Sequence, residues 1–416
     1  MSSIDDILAS MKAAAPAAAS TAPPVSHSWT ESTPSITATT PPLDARHRVA
    51  ATGASDLDYR FRCGKLRVSK AEAAALQTDC AMVFMLNSSN WLAATAEPRC
   101  SLERLAKAIF DKHTAGIAFD PKTSGAEWWA QVREGGQPHE GIEFHWDVDE
   151  HFCDIEAGHD GVHVHPHLST VTYLSEEGGA PTVILHARCP TDATPGAVAK
   201  VYGPLSAGAV SWPRLGKTIV FDGSDLHGAV PPRGEGCPSG LRRVTFLVNV
   251  WLGHRPHAVE PLPASLARSI SGAWAPHPQL GAFNGALEPP PSRSLVMPHA
   301  AGEGPSQQQG GGAEADPAAG PTARSIQVAF GRNDKVHALR LLLPPKEERA
   351  DSLRLSFGHG AAEVGPNTSG LRCDRSGPRK QKADREGRAR DEGASSSPAG
   401  HGAQRKKPKV HAASSR

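Results

Sequence analysis

The sequence predicts a mainly β protein with flanking helices, in which a two-sheet jelly roll or barrel lies between two long tails. From residue 141 to residue 251, short strand-like runs alternate with Gly- and Pro-rich turns, a spacing typical of all-β architectures. The chain holds 40 Gly and 36 Pro, and aromatic residues make up only 5% of it. All eight Trp fall between residues 29 and 274, so a sizeable core is expected only in the middle of the 416 residues.

The chain is predicted to begin with a disordered tail. Residues 1–55 are rich in Ala, Pro, Ser and Thr, and they open with a short amphipathic helix over residues 3–14. Order is expected to begin near Asp56, and residues 56–135 are interpreted as a helical support for the core.

Four elements are predicted inside this support. Residues 59–68 alternate like a strand, and Ser69 with Glu72 forms a capping box that opens a helix. The apolar run AMVFML indicates a buried strand over residues 81–86. Ser101 is expected to cap a second helix that ends before Gly116.

The jelly-roll core is predicted over residues 140–252. Five segments there have the length and alternation of strands: GIEFHWDVDE, STVTYLS, PTVILHA, KTIVFDG and RRVTFLVNVW. Residues 259–416 are interpreted as a largely disordered, low-complexity tail. Three islands within residues 325–358 (SIQVAF, HALRLLL and SLRLSF) alternate weakly and could pair with each other or with the core.

Charge and cysteine content exclude several classes of protein. The net charge is +1, which gives no global attraction to nucleic acid or to an acidic membrane. Residues 371–416 are nevertheless basic, with 13 Lys and Arg against 5 Asp and Glu. The seven Cys form no CxxC pair, which argues against a disulfide framework or a zinc ribbon. Neither a signal peptide nor a membrane span is evident, so an intracellular protein of the nucleus or cytoplasm is expected.

Three residues are candidate metal ligands. On the strand EFHWDVDE, His145 and Asp147 stand two residues apart and would share one face. His227 follows another apolar strand and a turn. Two imidazoles and one carboxylate leave coordination positions open, which suits non-heme Fe(II) better than a closed zinc site.

A cation that could bind a carboxylate follows His227. Arg243 and Thr245 would share one face of the strand RRVTFLVNVW, and together they could hold one carboxylate group. Arg242 points the other way and is the competing candidate. Tyr173 could line the same pocket or simply pack in the core.

Residues 140–252 resemble the 2-oxoglutarate/Fe(II)-dependent dioxygenase superfamily on its prolyl-4-hydroxylase-like side. Four segments carry the resemblance, in the order of the family: HWD at 145–147, STVTYLSEEGGAPTVIL at 169–185, GKTIVFDGSDLHGAVPP at 216–232 and RVT at 243–245. The resemblance implies a double-stranded β-helix (jelly-roll) core in a dioxygenase domain over residues 56–258.

The same resemblance implies an activity. Fe(II) would be held by His145, Asp147 and His227, and the cosubstrate 2-oxoglutarate by Arg243, Thr245 and Tyr173, with ascorbate as a reductant. Hydroxylation of a C–H bond would release succinate and carbon dioxide. The prolyl-hydroxylase likeness favours a protein or peptide substrate over a nucleic acid or a small molecule, without a membrane partner. The basic segment 379–409 resembles a nuclear-localisation signal that an import receptor could bind.

Two other functions remain open from the sequence. His163, His165 and His167 alternate and could bind a metal themselves, as in a cupin-like jelly roll that does not use 2-oxoglutarate, or they could lie on a solvated loop. A non-catalytic scaffold between two interaction tails is the other alternative.

Overall fold

Two six-stranded sheets face each other in the computed structural model of the chain. In spatial order, the first sheet contains β1 (Arg62–Lys65), β9 (Lys217–Asp222), β5 (Leu168–Tyr173), β11 (Arg242–Trp251), β3 (Gly125–Glu134) and β2 (Asn90–Ala93). The structure describes residues 40–136, 141–153, 162–176, 179–189, 202–229, 242–257, 259–271, 282–297, 323–332, 335–346 and 350–367.

The second sheet carries two of the candidate metal ligands. In spatial order it contains β12 (Ser292–Leu295), β15 (Ser352–Phe357), β8 (Ala207–Ser211), β6 (Thr182–Leu185), β10 (Leu226–Ala229) and β4 (Ile142–His145). All pairs in both sheets are antiparallel except β12 with β15. Side chains of the two sheets meet in a buried cluster that includes Val171, Phe221 and Leu247 from the first and Ile184 and Ala209 from the second. The predicted jelly-roll core of a mainly β fold is therefore confirmed.

Two long helices cover the outer face of the first sheet. They are α1 (Lys70–Phe84) and α2 (Ser101–Thr114), and their apolar sides join Trp128, Phe246 and Val248 in one cluster. Two shorter helices follow, α3 (Glu150–Cys153) and α4 (Ala264–Ser271), and a 3-10 turn spans Ala54–Asp56. No helix among the residues described above combines the length and apolar character needed to cross a bilayer.

A third sheet covers the outer face of the second. It is formed by β13 (Arg324–Arg332), β14 (Lys335–Leu343), β16 (Ala362–Pro366) and β7 (Gly203–Pro204). Its buried Phe330, Leu339 and Leu341 pack with Val183 and Val210.

Ordered structure therefore continues beyond residue 258, where the dioxygenase domain was predicted to end. The three islands of residues 325–358 form strands that pair with one another and, through β15, with β8 of the core. Their alternation is short and interrupted by Gly- and Pro-rich stretches, so each island alone gives only a weak signal. At the other end, residues 40–55 also belong to the fold, since Arg48 bridges to His165. The helix predicted over residues 3–14 lies outside the described residues, as does segment 379–409.

The strand predicted over residues 81–86 is wrong, because α1 continues to Phe84. The predicted capping box is present, with both Ser69–Glu72 hydrogen bonds formed. The buried positions Leu76, Cys80 and Val83 follow a helical spacing, and no turn residue interrupts the helix before its end.

The support over residues 56–135 is less helical than expected. It also contains β1, β2 and β3, and β3 lies beside β11 along ten residue pairs. Polar Glu127 and Gln131 on β3 lie opposite Asn249 and Thr245, so the strand lacks the apolar alternation that usually marks one. Ser101 begins α2 but does not cap it; its hydroxyl donates to Asp79, and Cys100 is the N-cap residue.

Candidate metal centre

The three predicted ligands converge at one end of the second sheet. His145 on β4 and His227 on β10 lie directly opposite each other in the strand register, with ring centroids 4.5 Å apart. Nε2 of His145 is 3.6 Å from Oδ1 of Asp147, and Nε2 of His227 is 3.5 Å from Oδ2. Ligand atoms about 2.1 Å from a common ion lie roughly 3 to 3.5 Å apart, so this spacing fits one metal ion.

Asp147 reaches this position from a loop and not from a strand. β4 ends at His145, which corrects the prediction that both ligands share one strand face. The carbonyl of Asp147 accepts a hydrogen bond from Nδ1 of His165 at 2.8 Å, and this bond fixes the turn of the backbone. Its carboxylate Oδ2 lies 3.0 Å from the hydroxyl of Ser169, which orients the side chain toward the two imidazoles.

The tautomers of both histidines are set by backbone carbonyls. Nδ1 of His145 lies 2.7 Å from the carbonyl of Glu143, and Nδ1 of His227 lies 3.0 Å from that of Asp225. A carbonyl only accepts, so each Nδ1 carries the proton and each Nε2 presents its lone pair to the centre. Burial lowers the pKa of His227 to about 4, which keeps this imidazole neutral at pH 7.

The donor set suits a divalent ion such as Fe(II), with His145, Asp147 and His227 as the residues that would hold it. Two neutral imidazoles and one carboxylate are ligands that leave further positions open for small molecules. The His145 side chain is 41% exposed, whereas His227 is buried, so the centre is reached from the His145 side.

Arg243 is a buried cation on the inner face of the first sheet, only 2% exposed. Its Nε donates to the carbonyl of Ala180 at 3.1 Å, and one terminal nitrogen donates to Thr182 Oγ1 at 2.9 Å. The other terminal nitrogen lies 3.5 Å from Thr245 Oγ1. Among the described residues no carboxylate lies within ion-pair distance of Arg243, and burial lowers its pKa, a cost that a bound carboxylate would offset.

Arg242 is excluded as the buried anchor by its surroundings. Its side chain is exposed and pairs with Glu134 at 2.8 Å. The choice of Arg243 from the alternation of the strand therefore agrees with the burial of the two side chains.

Tyr173 joins the surroundings of Arg243. Its hydroxyl donates to Thr182 Oγ1 at 2.7 Å and lies 3.2 Å from the carbonyl of Ser211. The guanidinium carbon of Arg243 is 5.5 Å from the centre of the Tyr173 ring. The expected core packing of Tyr173 is confirmed, and its hydroxyl bonds the threonine that binds Arg243; its place in a cosubstrate pocket stays a prediction.

Strand β6 contacts both the strand of His227 and the side chain of Arg243. Ile184 is paired with His227, and Thr182, which binds Arg243, lies two residues away on the same face of β6. Two residues of a strand span about 7 Å. The spacing of these two positions on β6 is close to the length of a five-carbon dicarboxylate.

Gly179 lets the chain pass close to Arg243. Its φ is +84°, and a Cβ placed there would lie 3.1 Å from the Cβ and Cδ of Arg243. The second glycine of the Gly-Gly pair in the segment 169–185 thus has a steric reason.

The three alternating histidines do not form a metal site with one another. His165 and His167 are buried and bind backbone carbonyls, those of Asp147 and Val49. His163 contacts Cys189, with 2.6 Å between Nδ1 and Sγ. The solvated-loop interpretation fails for His165 and His167, because both help to fix the N-terminal segment and the loop that carries Asp147.

Several residues of the site were missed in the sequence. Ser169 and Thr182 bind groups of the site, and a hydroxyl residue within a strand gives no signal of such a role. Trp146, which lies between two ligands, packs on Phe330 and donates to the carbonyl of Ala187, so it belongs to the core.

No protein-family model and no curated protein matches the sequence. Among solved structures, the chain is similar to a prolyl-4-hydroxylase of Pseudomonas putida, with 15% identity, 49% of this chain and 97% of that chain covered, and a TM-score of 0.28. It is also similar to iron-bound HygX of Streptomyces hygroscopicus (14%, 52% and 89%, TM-score 0.27). A third similar structure is the non-heme alpha-ketoglutarate-dependent carbocyclase SnoK (15%, 52% and 97%, TM-score 0.27). The identities and TM-scores are low, so the interpretation of the site rests on its own geometry.

Proposed function

We propose that the chain is an Fe(II)- and 2-oxoglutarate-dependent oxygenase. The observation that supports this most directly is the pairing of a two-histidine, one-carboxylate centre with a buried arginine that contacts Thr182, two residues along β6 from the position opposite His227. A dicarboxylate that chelates the metal through one end would place its other carboxylate on Arg243.

The side chains have separate tasks in this proposal. His145, Asp147 and His227 hold the ion, and Ser169 orients Asp147. Arg243, Thr245 and Tyr173 bind the far carboxylate, while Val171, Ile184 and Leu247 keep the inner space apolar. Bound Fe(II) would supply the dioxygen chemistry, in which 2-oxoglutarate and dioxygen give succinate, carbon dioxide and a hydroxylated C–H group.

The test is the formation of succinate from 2-oxoglutarate by protein purified without oxygen and then given Fe(II), ascorbate and air. We expect slow turnover without substrate, and its loss in His145→Ala. Arg243→Ala should raise the KM for 2-oxoglutarate at least about tenfold, because it removes the buried charge that binds the far carboxylate. Arg242→Ala is the matched control, since it removes the neighbouring exposed charge.

Two results would contradict the proposal. A chain that binds one metal ion tightly but forms no succinate would favour the cupin-like alternative, and a chain that binds no metal would favour the scaffold. Equal effects of Arg243→Ala and Arg242→Ala would remove Arg243 as the anchor.

For the substrate we propose a peptidyl residue in a nuclear or cytoplasmic protein. This proposal is supported by the likeness of the sequence to prolyl hydroxylases and by the basic segment 379–409. Stimulation of succinate formation by a protein extract digested to peptides, but not by nucleic acid or small metabolites, is the expected result.

A further inference from the structure

A second cluster of carboxylate and imidazole groups lies two residues beyond Asp147. Asp149 stands at the start of α3, and His254 and His257 follow the end of β11. Oδ2 of Asp149 lies 2.8 Å from Nε2 of His254 and 2.9 Å from Nδ1 of His257. This cluster and the centre at His145 are the two groups among the described residues in which three ligand atoms lie within reach of one ion.

Hydrogen bonds alone do not account for the contacts of this carboxylate. Oδ2 faces three nitrogens, since the backbone N–H of His257 also lies 3.1 Å from it. Oδ1 accepts a hydrogen bond from the backbone N–H of His151 at 3.1 Å. A carboxylate oxygen has two lone-pair directions, so three donors exceed what Oδ2 can accept in good geometry. The conflict disappears if the imidazoles present lone pairs to a cation that Asp149 also binds.

The buried charge of Asp149 also favours a bound cation. The side chain of Asp149 is fully buried, and the described residues place no Lys or Arg within ion-pair distance of it. An ionised carboxylate in such a place needs a compensating positive charge. A divalent ion supplies that charge without protonating either histidine.

We propose that Asp149, His254 and His257 bind a second divalent metal ion, of the zinc class, separate from the ion at the first centre. Two imidazole nitrogens and one carboxylate oxygen are borderline donors that Zn(II) accepts readily. Their separations of 2.8 and 2.9 Å are slightly shorter than the roughly 3 to 3.5 Å expected between neighbouring ligands about 2.1 Å from one ion, so the imidazoles would move away from the carboxylate by only a few tenths of an ångström to hold one. The ion binds the loop that carries Asp147 to the segment after β11.

The site is open to solvent on one side. His254 is buried, but the side chain of His257 is 36% exposed, and its ring stacks on that of His151 with centroids 4.4 Å apart. An ion can therefore enter past His257, and water completes its coordination. The second site does not depend on the proposed oxygenase function, because it contains no residue of the first.

The test is the number of Zn(II) ions that the full chain retains after it has been stripped with a chelator, dialysed against micromolar Zn(II) and analysed by mass spectrometry. The wild type should hold two ions, because Zn(II) also occupies the first centre. His145→Ala and His257→Gln should each hold one. Glutamine can still donate a hydrogen bond to Asp149 but is a poor metal ligand, so the variant separates metal binding from hydrogen bonding.

His359→Gln is the control, since it removes an exposed histidine outside both clusters and should leave two ions. A His257→Gln chain that holds as many ions as the wild type overturns the proposal. So does a wild type whose single ion is lost with His145→Ala.

The visible spectrum of bound Co(II) gives an independent test if a variant used in the zinc measurement folds poorly. In the His145→Ala chain, Co(II) should show the intense visible bands of a site with fewer than six ligands, and Asp149→Asn should abolish them. If the His145→Ala chain gave nothing more than the weak spectrum of aqueous Co(II), the proposed second site would be contradicted.

Discussion

The metal ligands are aligned at the scale of single residues by atoms that do not face the ion. The backbone carbonyls of Glu143 and Asp225 hold the two ring protons, and Ser169 holds the carboxylate of Asp147. The three ligand atoms thus converge even though strand pairing alone does not position all three ligands. Of these ligands, Asp147 alone carries a charge that offsets that of the ion.

Asp147→Ala should lower the iron content of anaerobically reconstituted protein by at least about tenfold. Loss of a residue that only supports a metal ligand lowers metal affinity by about 10- to 100-fold, so loss of a ligand itself should cost at least the lower value. The measurement is iron per chain after gel filtration, with Asp56→Ala, an exposed residue of the 3-10 turn, as the control. Full iron occupancy in Asp147→Ala would show that the ion is held elsewhere.

Asp79 gives the stability of the protein a pH dependence of its own. Burial raises the pKa of Asp79 to about 6, although Ser101 donates a hydrogen bond to it that acts in the opposite direction. The folded state therefore binds the proton more tightly than the unfolded state, in which the pKa is about 3.9. The contribution of this tighter proton binding to the stability is complete at low pH and is lost as the pH rises from about 4 to 6.

Asp79→Asn should consequently stabilise the protein above pH 6, by about 1–2 kcal/mol, with the gain shrinking toward pH 4. Urea unfolding at several pH values measures it, and Asp56→Asn serves as the exposed control. A stability difference that does not change between pH 4 and 7 would contradict the assignment.

At the scale of the element, β15 connects the C-terminal part of the chain to the core. It lies between β12 and β8, and its Leu353 and Leu355 are buried under the third sheet. The residues after 258 therefore contribute to the same sheet that presents His145 and His227.

Leu353→Ala should destabilise the protein by about 2–5 kcal/mol, the usual cost of a cavity left by a buried leucine. Arg354→Ala, on the exposed face of the same strand, should change the stability by less than about 0.5 kcal/mol. Thermal unfolding compares the two variants. Equal melting temperatures would mean that this segment is the loose tail that its composition indicates.

For the whole molecule, local patterns predicted the core and the first centre, and features that need distant partners escaped prediction. The segment around His227 and the alternation of Arg243 with Thr245 are visible over a few residues. β3 was missed because its polar side chains face polar partners on β11, so hydrophobic alternation does not mark it. Asp149 and His254 are 105 positions apart, and no local spacing connects them.

The pairing of β15 with β8 also has a consequence for the order in which the chain can fold. Ser211 and Ser352 hydrogen-bond across 141 positions, so the closing of this contact requires a long loop. At a synthesis rate of about 5–20 residues per second, the ribosome adds that stretch in roughly 7 to 28 s. During this time β8 has an open edge on the side away from β6, and such an edge can pair with other chains. A nascent chain of this protein is therefore expected to depend on chaperones until β15 has emerged.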